Sequence, residues 1–92
     1  MQKWTQTEAV AFECAREVIT DLMAIQTGQI ADEARKPIPD TERLANLRAE
    51  RSRLALERAG LHVGDKAHVA RIRAEYGAIV RAWRAEHQAV AA

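Results

Sequence analysis

From Thr5 to Lys36 the chain contains no proline, and apolar residues return there every three or four positions: Ala11, Ala15, Val18, Leu22 and Ile25, with Phe12, Ile19, Met23 and Ile30 widening the stripe. An α-helix turns once every 3.6 residues, so this spacing lines one side of a helix, whereas a half-buried strand would need strict alternation. Glu13, Arg16, Glu17 and Asp21 fall on the opposite side. Thr5 followed three residues later by Glu8 forms a capping-box start signal, with Trp4 just outside it and placed to staple onto Ala9. Pro37 and Pro39 end the run, because a residue before proline is driven out of the helical region. The spacing predicts a helix from about residue 6 to about residue 34, a rod on the order of 43 Å at 1.5 Å per residue. Gly28 costs such a helix about 1 kcal/mol relative to Ala, and marks either a kink or a place where another backbone comes close.

Two shorter helices follow. Asp40 is the expected cap of a helix over about 41–59, with Thr41 and Glu42 in its first turn and Gly60 at its end. Leu44, Leu47, Leu54 and Leu61 form its apolar face, and Arg51 and Arg58 fall where a continuous seam would place Leu. These arginines either snorkel at the edge of a wide interface or meet carboxylates of another helix. After Leu61-His62-Val63-Gly64, Asp65 caps a helix over about 66–88 whose stripe is Val69, Ile72, Tyr76, Ile79, Val80, Trp83 and Val90. Gly77 beside Tyr76 marks close packing or simple tolerance on the solvent side. The fold class expected is all-α, a three-helix antiparallel bundle in one domain, residues 1–92, with a long first helix.

A chain of 92 residues withdraws only about 60–65% of its unfolded surface from water, and much of its 48% apolar share is Ala. A modest core and unequal helix lengths favour dimerisation through helical faces, in the manner of a short coiled coil. Charge is unevenly placed. Residues 1–40 hold four Lys or Arg against seven Asp or Glu, and residues 66–92 hold five against two, within a net charge of +1. That supplies no overall field for a polyanion and suits pairing of acidic and basic helices. One cysteine, Cys14, excludes an internal disulfide and points to a reducing cytoplasm; no run is long and apolar enough to suggest a membrane span.

Chemistry is sparse. Glu13, Glu17 and Asp21 share a helix face, but charged residues ordinarily solvate an outward face, and no Glu-x-x-His pair accompanies them. His62 and His68 flank the start of helix three without nearby cysteines, and His87 sits where positive charge complements a helix C-terminus. No phosphate loop, nucleophile elbow or HExxH occurs, so no catalytic residue, cofactor or metal is expected. The stretch Leu47-Arg48-Ala49-Glu50-Arg51-Ser52-Arg53-Leu54-Ala55 resembles part of the long first helix of the small chorismate mutases. That resemblance implies a dimeric helical enzyme with arginines around a dicarboxylate. Here the stretch lies mid-chain and the acidic first helix has no counterpart arginine pattern, so no active-site residue is carried across.

The expected function is a non-enzymatic, cytoplasmic protein–protein interaction module, an adaptor or an inhibitor or regulator of a macromolecular partner. Its surface is expected to include Arg51, Arg58, Arg73, Tyr76, Arg81, Trp83 and Arg84, because aromatic and Arg side chains dominate interface energetics. The alternative partner is nucleic acid held by these arginines, against which Glu50, Glu57, Glu75 and Glu86 alternate with them.

Overall fold

The computed structural model describes the backbone of residues 4–91 and the side chains of residues 4–88. Three helices follow one another: α1 (Gln6–Ala34), α2 (Thr41–Gly60) and α3 (Lys66–Ala91). Val90, on the expected stripe of α3, lies outside the described side chains.

The capping box at the start of α1 is complete. Thr5 N–H donates to Glu8 Oε1 at 2.8 Å, and Glu8 N–H donates to Thr5 Oγ1 at 3.1 Å. Trp4 meets His62 edge-on at a centroid distance of 6.5 Å, because the α2–α3 connection passes over this end of α1. The helix continues unbroken through Gly28, where an added Cβ would find nothing within 4 Å. Among the described residues, no other backbone therefore comes close there.

Ala15, Ile19, Leu22, Gln26, Ile30 and Glu33 form the buried stripe of α1. Arg51 and Arg58 of α2 reach Thr27 and Thr20 of α1, so α2 runs antiparallel to α1. Lys66 pairs with Glu8 at 3.2 Å and Arg84 with Asp21 at 3.1 Å, so α3 runs parallel to α1 and antiparallel to α2. Both later helices pack on α1, while among the described residues no α2–α3 pair brings its Cα atoms within 8 Å. The result is a slab of 56 × 31 × 17 Å with α1 as its spine. Ile19, Leu54 and Ile72, one from each helix, are the largest fully buried side chains.

The α1–α2 seam is held by two equivalent rungs. Arg51 donates to Thr27 Oγ1 at 3.2 Å and Arg58 to Thr20 Oγ1 at 2.9 Å. Each threonine hydroxyl donates its own hydrogen to the carbonyl one turn back, at Met23 and Arg16, which leaves its lone pairs free to accept from arginine. Thr20 and Thr27 are one heptad apart, as are Arg51 and Arg58. The rungs therefore recur at the period at which packed helices return to the same contact.

Glu33 lies in the last turn of α1, where the helix dipole disfavours an acid, yet its side chain is only 4% exposed. The Asp40 N–H donates to it at 3.0 Å and Lys36 Nζ at 2.9 Å, with Arg43 Nε 3.4 Å away. The Asp40 amide and then Lys36 hold this carboxyl below the usual glutamate range, so the turn is tied to the helix by a buried anion. The second connection is made differently. Gly60 is the last residue of α2 but takes no left-handed conformation; Leu61 is extended, at φ −69° and ψ 132°, and carries its side chain into the core.

Leu54→Ala should lower the unfolding free energy by about 2–5 kcal/mol, whereas Leu56→Ala, at a residue 75% exposed, should change it by less than about 0.5 kcal/mol. Urea titrations followed by circular dichroism check both.

Candidate functional site

Two constellations stand apart from ordinary core packing. The first joins α2 to α3 by side chains alone. Glu57 accepts from Tyr76 Oη at 2.5 Å, from His68 Nε2 at 2.9 Å and from Arg53 at 3.3 Å. Arg53 is also bonded to Glu50 and lies 3.4 Å from Tyr76 Oη. The Glu57 side chain is 16% exposed. Burial alone would raise its pKa, but the bonds from His68, Tyr76 and Arg53 outweigh burial and hold the carboxyl below the usual range. Burial, and then the carboxylate it bonds, raises the Tyr76 phenol. A carboxylate that accepts from three donors on two helices is a fastening between them. Neither the α1–α3 cleft nor the smaller ones along α1 and α2 is lined by Glu57, His68 or Tyr76.

The second constellation is a cleft of about 520 Å³ between the C-terminal halves of α1 and α3. Asp21, Ala24, Ile25, Gly28, Gln29 and Asp32 form one wall. Trp83, Arg84, Glu86 and His87 form the other. The Trp83 and His87 rings stack at 3.7 Å and 21°, and His87 Nδ1 bonds the Trp83 carbonyl at 2.8 Å, which fixes the aromatic wall. Gly28, with open space at its missing side chain, keeps the opposite wall low.

The seven residues expected to form one surface are dispersed. Trp83 and Arg84 line the cleft, with Arg84 paired to Asp21. Tyr76 belongs to the α2–α3 fastening. Arg51 and Arg58 lie within the α1–α2 seam and meet threonines rather than carboxylates. Arg73 lies at the other end beside Glu8 and Lys66, and the Arg81 guanidinium folds over Gly77, 3.0 Å from where a Cβ would stand. That contact accounts for the burial of Gly77 without another helix or ring.

Glu13 pairs weakly with Arg16 at 3.8 Å and Asp21 bonds Arg84 of α3, and the acidic row as a whole lines one cleft with Arg16 and Arg58. Among the described residues no group of three His, Cys, Asp or Glu side chains is placed to hold a metal ion. None of the described helices is long and apolar enough to cross a membrane. The arginines of the stretch that resembles the chorismate mutases do not converge. Arg48 is exposed, Arg51 crosses to Thr27 and Arg53 is held by Glu50 and Glu57. Where two arginines do share a cleft, Arg16 and Arg58, three carboxylates share it with them. No family model, curated protein or solved structure matches the chain.

Glu57, Glu33, Glu50 and Glu8 all have lowered pKa values in the folded protein. The folded state then binds fewer protons than the unfolded one, so their contribution is fully present above the ordinary value of 4.5 and is lost as pH falls through the lower folded values. Stability measured from neutral pH downwards should hold steady and then decline below that value. Glu57→Gln and Glu33→Gln should each start lower at neutral pH and decline less steeply; an unchanged acid slope in both would contradict the assignment.

Proposed function

We propose that this protein is a non-enzymatic helical interaction module, and that the α1–α3 cleft is where it receives a segment of a protein partner. The observation that carries this reading is the aromatic wall of Trp83 and His87, set rigidly over an apolar floor of Ala24, Ile25 and Gly28. Tryptophan held at a concave site is the side chain that gives most binding energy when a pocket is filled and water excluded. Support also comes from the state of the polar groups. The described cations of α2 and of the turn before it are largely committed within the chain, through Arg51, Arg53, Arg58, Arg43 and Lys36. This leaves little of the ordered arginine surface that nucleic-acid binding needs. A role as adaptor or regulator in the cytoplasm is consistent with a bundle whose core is closed and whose open feature lies at one end.

A photo-crosslinking residue at Gln29, inside the cleft, should give a covalent adduct with a protein in cells, and the adduct should disappear in Trp83→Ala. The same residue at Arg48, on the exposed side of α2, should give none. Equal adducts from both positions would contradict the cleft as the docking site. Retardation of DNA or RNA that falls steeply with added salt would favour the nucleic-acid alternative instead.

A further inference from the structure

Among the described residues, the most exposed large apolar side chain is also one of the most firmly mounted. Ile38 is 89% exposed between Pro37 and Pro39. The turn that carries it is braced by the buried Glu33 carboxylate through Lys36, the Asp40 amide and Arg43. A single exposed apolar residue on a mobile loop needs no explanation. Ile38 differs, because two prolines limit the backbone on either side and a buried anion anchors both ends of the turn. The conformational cost of presenting this tip to a partner has been met by folding.

The cleft has the complementary chemistry. Proline-rich extended segments are bound by grooves lined with aromatic rings, against which proline rings and the intervening side chain pack. Trp83 and His87 supply the rings, and Ala24, Ile25 and Gly28 a shallow apolar floor. Charge agrees in sign. The cleft is lined by Asp21, Asp32 and Glu86, of which Asp21 is paired with Arg84 and Asp32 with Arg35 of the same chain, so that Glu86 carries its net negative charge. The tip is led by Arg35 and Lys36, whose side chains are more than half exposed despite their bonds to Asp32 and Glu33, so donors remain to be shared. Tip and cleft both sit at the C-terminal end of α1. A twofold axis passing beside that end would therefore seat two tips in two clefts at once, a closed arrangement rather than a chain of copies.

We propose that the occupant of the α1–α3 cleft is the Pro37-Ile38-Pro39 tip of a second copy of this chain, in a reciprocal dimer. This rests on the reading of the cleft as a protein-docking site. Two variants separate the halves of the contact. Ile38→Asp spoils the tip and leaves the cleft intact. Gly28→Arg fills the cleft and leaves the tip intact, at a position where nothing stands within 4 Å and where any other helix former is favoured over glycine.

Sedimentation across micromolar to millimolar concentration should show a monomer–dimer equilibrium for the natural chain, weakened at least about tenfold in each variant because a charge would enter an apolar contact. Circular dichroism should show the helix content of both variants unchanged. Mixed together, the two variants should pair more tightly than either pairs with itself, since one tip–cleft contact is natural and in the other the introduced carboxylate meets the introduced guanidinium. A monomer at every concentration, a dimer indifferent to Ile38→Asp, or a mixture that does not pair would each overturn the proposal. Should the natural chain stay monomeric while Gln29 still cross-links a different protein in cells, the docking cleft stands and only its occupant is wrong. Loss of both results would remove the docking reading itself.

Discussion

The apolar stripe of α1 is used twice. One flank receives α2 and the other α3, and Ala15, Ile19 and Leu22 share one buried cluster with residues of both. In a three-helix bundle of the compact kind each pair of helices shares a seam. Here no Cα atoms of α2 and α3 come within 8 Å among the described residues, so both lean chiefly on α1 for burial and are joined to each other through the Glu57 hydrogen bonds. The flatness of the slab follows from this arrangement.

Polar side chains then do the aligning that a thin core cannot. Alanine-rich helices bury little area per residue, and a stripe of similar apolar residues tolerates sliding by a turn. The two arginine–threonine rungs set the α1–α2 register at heptad spacing, and Glu8–Lys66 and Asp21–Arg84 set that of α3. The last two pairs are substantially exposed, and isolated pairs of that kind contribute little energy. Their value lies in selecting one alignment among several that hydrophobic burial would leave nearly equal. Gln26 is the exception: it is buried in the stripe with its carbonyl oxygen unpartnered among the described residues, a cost with no compensating bond.

What could be read from the sequence was what local spacing encodes. The caps at Thr5, Asp40 and Asp65, the stripe of α1 and the stop at Pro37 all involve residues within one or two turns of each other, and their chemistry acts at that range. The Glu57 fastening joins residues 11 and 19 positions apart across two helices, and no local pattern announces it. Two other features leave a trace in the sequence. Threonines and arginines each repeated at seven residues on helices expected to be antiparallel, which is the mark of a rung. Glu33 stood in a last turn where the dipole opposes it, which is a reason to look for a buried counter-ion. The dispersal of the seven candidate interface residues reflects the same limit, because helical spacing places a residue on a side of its own helix and does not say which neighbour lies there.

Native-state hydrogen exchange tests the shared spine most directly, because it reads the stability of each helix separately within one molecule. If α1 supports two helices that do not support each other, the amides of Ala15 to Ile30 should exchange slowest of all, with the far ends of α2 and α3 opening independently at lower free energy. Slower exchange in α2 or α3 than in the middle of α1, or a single common protection for all three helices, would show that the second and third helices are held by something other than the first.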